Sequence, residues 1–167
     1  MDGVAFRAKV DVILVTVKSI AGRPVWRPDR GGNSHRINTP LILDGVIRTD
    51  VSLEANAPTF AVAQSVTLLL LVDGRAVERI ETLSASPHSN WSDKRVPRRL
   101  RGLTFPLGSN HLHTWDANWW TTPAENLPTV ELGAFDSDPT SVIRFALTRW
   151  KIESTLHPPP HEPRFDL

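Results

Sequence analysis

The chain contains no cysteine. This absence excludes disulfide bonds, zinc sites built on thiolates and cysteine nucleophiles, and it is compatible with a reducing compartment. Any metal site must therefore use histidine, aspartate or glutamate. Tyrosine is also absent, whereas 14 of the 167 residues are proline, which favours many loops over long helices.

Long apolar runs and an excess of charge of one sign are lacking as well. The most apolar stretch, 66–72, is far shorter than the roughly 20 residues that a membrane-spanning helix needs. Residues 1–7 do not show the basic segment and apolar core that begin a secretory leader. We expect a soluble, cytoplasmic protein that does not enter a membrane. Because the formal net charge is only +1, binding to nucleic acid would depend on a local basic patch.

Alternation and turn residues indicate a fold rich in strands. Apolar and polar residues alternate over 4–17, which predicts a strand with one wet face. Residues 18–40 are interrupted by proline and glycine, which predicts a long loop. The pairs Asp44-Gly45 and Asp73-Gly74 separate apolar runs and predict two hairpins, with 66–72 as a central strand buried on both faces. Two further short strands are predicted at 102–107 and 111–115.

The end of the chain shows a different pattern. Asp138 can cap a helix, Pro139 suits its first position, and apolar residues recur at helical spacing over 142–150; the same residues also alternate, so a strand is the second interpretation. We predict a mainly β (α+β) fold, a compact antiparallel sheet or partly open β-barrel, with one C-terminal helix. Residues 1–155 are expected to form a single domain, and 156–167 an extended or disordered proline-rich tail.

Residues 83–120 concentrate side chains that ligate metals, move protons or stack on bases. The segment holds three of the six histidines and four of the six tryptophans, separated by the basic run KRVPRRLR at 94–101. If 111–115 is a strand, His111, His113 and Trp115 lie on one face of it. We therefore expect the functional site in this segment.

The His-x-His pair permits a metal site. Two histidines at this spacing on a strand can present ring nitrogens to one divalent ion, and Asp116 can supply a further ligand. The simpler interpretation is that His111 and His113 are half-buried and hydrogen-bonded to loops. We accordingly expect no cofactor, with a divalent metal as the alternative.

A second hypothesis needs no metal. His88 and either His111 or His113 can act as general acid and base in the cleavage of a phosphodiester, because the unperturbed pKa of imidazole is about 6.5. Guanidinium groups would hold the phosphate. The candidates for that role are Arg98, Arg99 and Arg101.

A third hypothesis is binding without chemistry. Tryptophans interleaved with arginines resemble a platform on which bases stack while cations neutralise phosphates, and the same residue types suit a protein interface. The candidate binding residues are Trp91, Arg98, Arg99, Arg101, Trp115, Trp119 and Trp120. Our first interpretation is a small soluble binding domain for nucleic acid or a protein partner. The alternative is a histidine- or metal-dependent phosphodiesterase or nuclease, and a homodimer paired through the hairpin arm 76–83 is a further option.

The order of these segments resembles that of small uncharacterised bacterial proteins. The shared features are a strand ending in Leu-x-Leu-x-Val-Asp-Gly at 68–74, then Pro87-His88-x-Asn90, then His111-x-His113 with an aromatic residue after it, a loop containing tryptophan and a final helix. The resemblance covers about 66–150, and it departs in the basic insert and the N-terminal loop. It implies a shared topology and a shared placement of the three histidines. It implies no activity.

Overall fold

A single antiparallel sheet dominates the structure, a computed structural model that describes residues 3–59, 64–121 and 127–161. The helices are α1 (Gly3–Val15), α2 (Trp115–Asn118) and α3 (Pro139–Arg149), with a 3-10 turn at Arg98–Leu100. The strands are β1 (Lys18–Ile20), β2 (Arg27–Pro28), β3 (Ser34–Leu43), β4 (Val46–Pro58), β5 (Thr67–Val72), β6 (Arg75–Glu81), β7 (His88–Ser89), β8 (Thr104–Phe105), β9 (His111–His113) and β10 (Glu131–Leu132).

The sheet order among these strands is β1-β3-β4-β5-β6-β9-β10, with β2 paired to β3, and β7 pairs with β8 separately. Every pairing between the named strands is antiparallel. The predicted fold class, a mainly antiparallel sheet with one C-terminal helix, is confirmed. The described strands form an open sheet and not a closed barrel.

Both predicted hairpins are confirmed. At each turn the aspartate and the glycine have positive φ, 50° and 77° for Asp44 and Gly45, and 51° and 71° for Asp73 and Gly74. This is the two-residue turn whose twist matches the strands it joins. The central strand β5 is buried on one face only, because Leu69 and Leu71 are half-buried.

The loop predicted over 18–40 is wrong for much of its length, because β1, β2 and the first seven residues of β3 lie within it. The prolines in this segment led to the prediction of a loop where these strands form. Pro28 lies in the two-residue strand β2, and Pro40 lies where the register between β3 and β4 shifts. Both are places where a missing N–H is tolerated.

The strand predicted over 4–17 is also wrong, because this segment forms α1. Its buried residues, Phe6, Val10 and Ile13, are spaced by four and three positions, which is helical spacing. Alternate positions that a strand would have buried are open to solvent, and Val12 is 62% exposed. The helix α3 forms as predicted: Asp138 accepts a hydrogen bond of 2.8 Å from the Ser141 N–H, and Pro139 follows it.

The main hydrophobic core contains residues of α1, α3 and one face of the sheet. It comprises, among others, Phe6, Val10, Ile13, Leu53, Leu68, Leu70, Val77, Ile80, Val142, Ile143, Ala146 and Trp150. The opposite face of the sheet carries the alternate residues of β6 and β9, and it is this face that holds the histidines. No helix among the described residues is long and apolar enough to cross a membrane.

The first residues of the proline-rich tail, 156–161, are described and contain no regular element. They contact the rest of the molecule through backbone carbonyls: Trp26 Nε1 donates to the His157 carbonyl at 2.8 Å, and Gln64 Nε2 donates to that of Pro159 at 3.2 Å. Leu156 and Pro159 are buried. The rest of the predicted tail, 162–167, lies outside the described residues.

Candidate functional site

The register between β6 and β9 brings His111 and His113 beside two charged residues. His113 is paired with Arg79, and His111 with Glu81. Because directly opposed residues of an antiparallel pair project to the same face, the four side chains lie together. The intervening Leu112, opposite Ile80, projects to the core face.

His88 reaches the same place from the small sheet of β7 and β8. Its ring centroid lies 5.8 Å from that of His111 and 5.8 Å from that of His113, and the rings of His111 and His113 are 6.3 Å apart. All three pairs meet at steep interplanar angles of 70° to 86°. The three imidazoles line a cavity of about 280 Å³ together with Arg79 and Glu81.

Backbone carbonyls fix the protonation of two of the rings. His88 Nε2 donates to the Pro128 carbonyl at 2.7 Å, and His113 Nδ1 donates to the Leu127 carbonyl at 2.6 Å. A carbonyl can only accept, so these nitrogens carry hydrogen. In the neutral rings the lone pairs are therefore on His88 Nδ1 and His113 Nε2. His113 Nε2 is buried and has no hydrogen-bond partner among the described residues.

Arg79 and Glu81 form an ion pair on the cavity wall, in which Arg79 Nη2 donates to Glu81 Oε2. One ligand atom each of Glu81, His111 and His113 lies within 4.8 Å of the other two, so this group can hold a metal ion. The Ser109 hydroxyl lies 3.3 Å from His111 Nε2. The site thus combines a carboxylate, neutral imidazoles and a guanidinium.

Burial, followed by the positive charge of Arg79, lowers the pKa of His113 to about 3, although the hydrogen bond to Leu127 opposes this shift. The pKa of His111 is also lowered, mainly by burial and also by His88 and Arg79, although Glu81 opposes the shift. At neutral pH both rings are therefore neutral. A neutral ring can accept a proton or bind a metal, but it cannot donate a proton as an acid.

The predicted face shared by His111, His113 and Trp115 is correct for the histidines and wrong for Trp115. The strand ends at His113, and Thr114 caps α2 by accepting from the Ala117 N–H. Trp115 consequently turns into the core, where its ring lies 5.9 Å from Phe6. It therefore does not form part of a binding platform.

Asp116, the predicted third metal ligand, is exposed on α2 and lies outside the group of potential ligands. Glu81 takes its place. Sequence reasoning missed Glu81 because only the pairing of β6 with β9, across about 30 intervening positions, brings it beside His111. The local indication in the sequence is that Glu81 lies at the end of the second arm of the predicted hairpin.

The predicted motif residue Asn90 has a structural role. It is 4% exposed, and its amide donates to the carbonyls of Leu100 and Val130 at 2.9 and 2.8 Å. Its oxygen accepts from the Val130 N–H at 2.7 Å. Asn90 thus holds the basic segment and the segment at 127–130 in fixed positions beside β7.

Trp91, Trp120 and Arg95 form an aromatic and basic cluster that we call the Trp91–Trp120 surface. The two indole rings are 6.0 Å apart, and the Arg95 guanidinium lies 4.5 Å from the centre of the Trp120 ring. Trp91 is 43% exposed. Trp119 is similarly exposed but stacks on Arg7 of α1 at 4.1 Å, apart from this pair.

The three candidate arginines of the basic run are all exposed. Arg99 pairs with Glu131 at 2.6 Å, and Arg101 donates to the backbone carbonyls of Val96 and Lys94. Arg101 therefore stabilises its own loop, whereas Arg98 makes no such contact with the described residues. None of the three lines the histidine cavity.

No protein-family model matches the chain, and neither a curated protein nor a solved structure matches it.

Proposed function

We propose that the histidine cavity is the active site of a phosphodiesterase that cleaves nucleic acid. The observation that supports this proposal is the convergence of His88, His111 and His113 on one cavity, although His88 lies on a different sheet. Histidines that only donated hydrogen bonds to loop carbonyls would not need to lie close to one another. Here each of His88 and His113 keeps one nitrogen directed away from its carbonyl.

The cavity offers what hydrolysis of a phosphodiester requires. A neutral imidazole accepts a proton from the attacking water. A metal ion held by the imidazoles would make that water more acidic. The water oxygen forms a new bond to phosphorus, the bond from phosphorus to the sugar oxygen breaks, and the leaving oxygen takes up the proton that the imidazole accepted from the water. The Arg79 guanidinium on the wall stabilises negative charge on the phosphoryl oxygens.

Nucleic acid is the substrate class because of what lies next to the cavity. Trp91 follows His88 by three residues, so their Cα atoms are at most about 11 Å apart. A base stacked on Trp91 would therefore place its neighbouring phosphates near the cavity, and the basic residues of 94–101 would partly neutralise them.

We expect the wild-type chain to cleave mixed-sequence single-stranded RNA or DNA, and His88→Ala to lower the rate about 100-fold or more, as loss of a proton-transferring group does. A His111→Ala/His113→Ala variant should be at least as impaired. Cleavage is followed on labelled strands with and without chelator, and circular dichroism confirms that each variant is folded.

The matched control for these variants is His157→Ala, because His157 is exposed and lies outside the cavity. Its rate should equal that of the wild type. Equal cleavage by wild type and by the cavity variants would assign the activity elsewhere. An absence of cleavage and of binding would contradict both nucleic-acid hypotheses and leave a protein partner.

Binding without cleavage is the second candidate, and the exposed Trp91–Trp120 surface favours it. Trp91→Ala should weaken the binding of a single-stranded oligonucleotide by about 5- to 150-fold, since base stacking on an aromatic ring contributes roughly 1–3 kcal/mol. Trp119→Ala is the control, because Trp119 is as exposed but stacks on Arg7 instead. Affinity is measured by fluorescence anisotropy at two salt concentrations; an equal loss in both variants would exclude a specific role for this surface.

A further inference from the structure

His113 has an orientation that hydrogen bonding alone does not explain. It is 3% exposed, its Nδ1 is fixed by the Leu127 carbonyl, and its Nε2 has no partner among the described residues. A buried nitrogen without a partner is unfavourable, because it has lost its hydrogen bonds to water and gained none in the protein. His113 lines the cavity that Glu81 and His111 also line.

We propose that Glu81, His111 and His113 bind a divalent transition-metal ion such as Zn²⁺, with a fourth position left to water. Two histidines and one glutamate are a ligand set of catalytic zinc sites, in which water completes the coordination. Histidines that bind metal almost always donate their other ring N–H to a carbonyl or carboxylate, and His113 does so to Leu127.

The separations in the group are compatible with coordination after small side-chain movements. The potential ligand atoms lie within 4.8 Å of one another. Ligands about 2.0–2.1 Å from a tetrahedral ion are roughly 3.3 Å apart, so rotation of the side chains has to shorten each separation by at most about 1.5 Å. The ion pair with Arg79 holds the Glu81 carboxylate in place.

The charges in the cavity indicate which class of ion binds. Glu81 is negative, Arg79 is positive, and the neutral rings of His111 and His113 add no charge, so the site has little net attraction for a cation. Mg²⁺ and Ca²⁺ depend on several oxygen ligands and are not expected to bind. Ions that favour imidazole, Zn²⁺ and Co²⁺ among them, gain their affinity from the nitrogen ligands.

The experiment titrates the chelator-treated full chain with Co²⁺ and then Zn²⁺, following visible absorption and heat. We expect one Co²⁺ per chain with the absorption bands of tetrahedral Co²⁺, displaced by Zn²⁺. Glu81→Gln and His113→Ala should each weaken binding more than about 100-fold, since loss of an outer-shell partner alone typically costs 10- to 100-fold. His157→Ala should bind as the wild type does.

Binding of no ion by the wild type, or equal affinity in Glu81→Gln, would overturn the proposal. If His113→Ala does not fold, the near-isosteric Glu81→Gln decides the question alone. Because the titration contains no nucleic acid, its result is independent of the proposed activity. If an ion binds but no nucleic acid is cleaved, the metal site is supported and the phosphodiesterase is refuted. If no ion binds but cleavage persists in chelator, the phosphodiesterase is supported and the metal site is refuted.

Discussion

Replacement of Glu78 by alanine is expected to lower the free energy of unfolding by about 3–5 kcal/mol, the range for removing one partner of a buried ion pair. Glu78 is 3% exposed. Its carboxylate accepts two hydrogen bonds from Arg149, at 2.6 and 2.8 Å, and one from Trp150 Nε1 at 2.7 Å. The backbone N–H of Trp115 donates to it at 3.3 Å.

The expected loss is large because the donors remain when the carboxylate is removed. The indole of Trp150 is fully buried, and the side chain of Arg149 is 32% exposed, so neither group is fully hydrated in the variant. Glu78 also connects three elements, since it lies on β6 while its partners lie at the end of α3 and the start of α2. Denaturant unfolding of wild type and variant measures the effect.

Two further variants test the cause of the loss at Glu78. Glu153→Ala, at an exposed glutamate, should change the free energy of unfolding by less than about 0.5 kcal/mol. Glu78→Met combined with Arg149→Met should be more stable than Glu78→Ala, because removing both charges leaves none unpaired. A loss of less than about 1 kcal/mol in Glu78→Ala would show that this network contributes little.

Replacement of Asn118 by alanine should lower the free energy of unfolding by about 2–4 kcal/mol, since three buried hydrogen bonds are lost at about 1 kcal/mol each. Asn118 is fully buried. Its amide donates to the carbonyls of Thr114 and Thr129, both at 2.9 Å, and its oxygen accepts from the Thr129 N–H at 2.8 Å.

Asn118 is important for the site because of what these bonds position. Thr114 follows His113, and Thr129 follows Pro128, whose carbonyl accepts from His88. The near-isosteric Asn118→Asp should be at least as unstable as Asn118→Ala, because it directs a carboxylate at two carbonyl oxygens. Chemical unfolding checks both variants. Asn33→Ala, at an exposed asparagine, is the control, and a comparable loss there would contradict the argument.

The sequence predicted those features that depend on neighbouring residues. An aspartate and a glycine at positive φ define each hairpin, and Asp138 with Pro139 defines the start of α3. The strand predicted over 4–17 is wrong because the apolar residues of this segment fit both the two-residue period of a strand and the spacing of a helix. Only the packing partner decides between the two periods, and here the partner is the core beneath Phe6, Val10 and Ile13.

The site could be predicted in part. His111 and His113 share a face because two residues along a strand always do. The strand register that supplies Glu81 and the separate sheet that supplies His88 depend on contacts distant in sequence. The exposure of each tryptophan also depends on contacts distant in sequence. Trp115 is buried, whereas Trp91 is exposed.

The order of the strands has a consequence for folding kinetics. Strands β3 to β6 are sequence neighbours, and two-residue turns connect β3 to β4 and β5 to β6. Closing such short loops costs little chain entropy, so this part is expected to form early. By contrast β9 joins β6 only after the long connection 82–110, which contains β7 and β8, has closed. The histidine cavity is therefore expected among the last parts to assemble, so that a partly folded chain retains its central strands before it has a site.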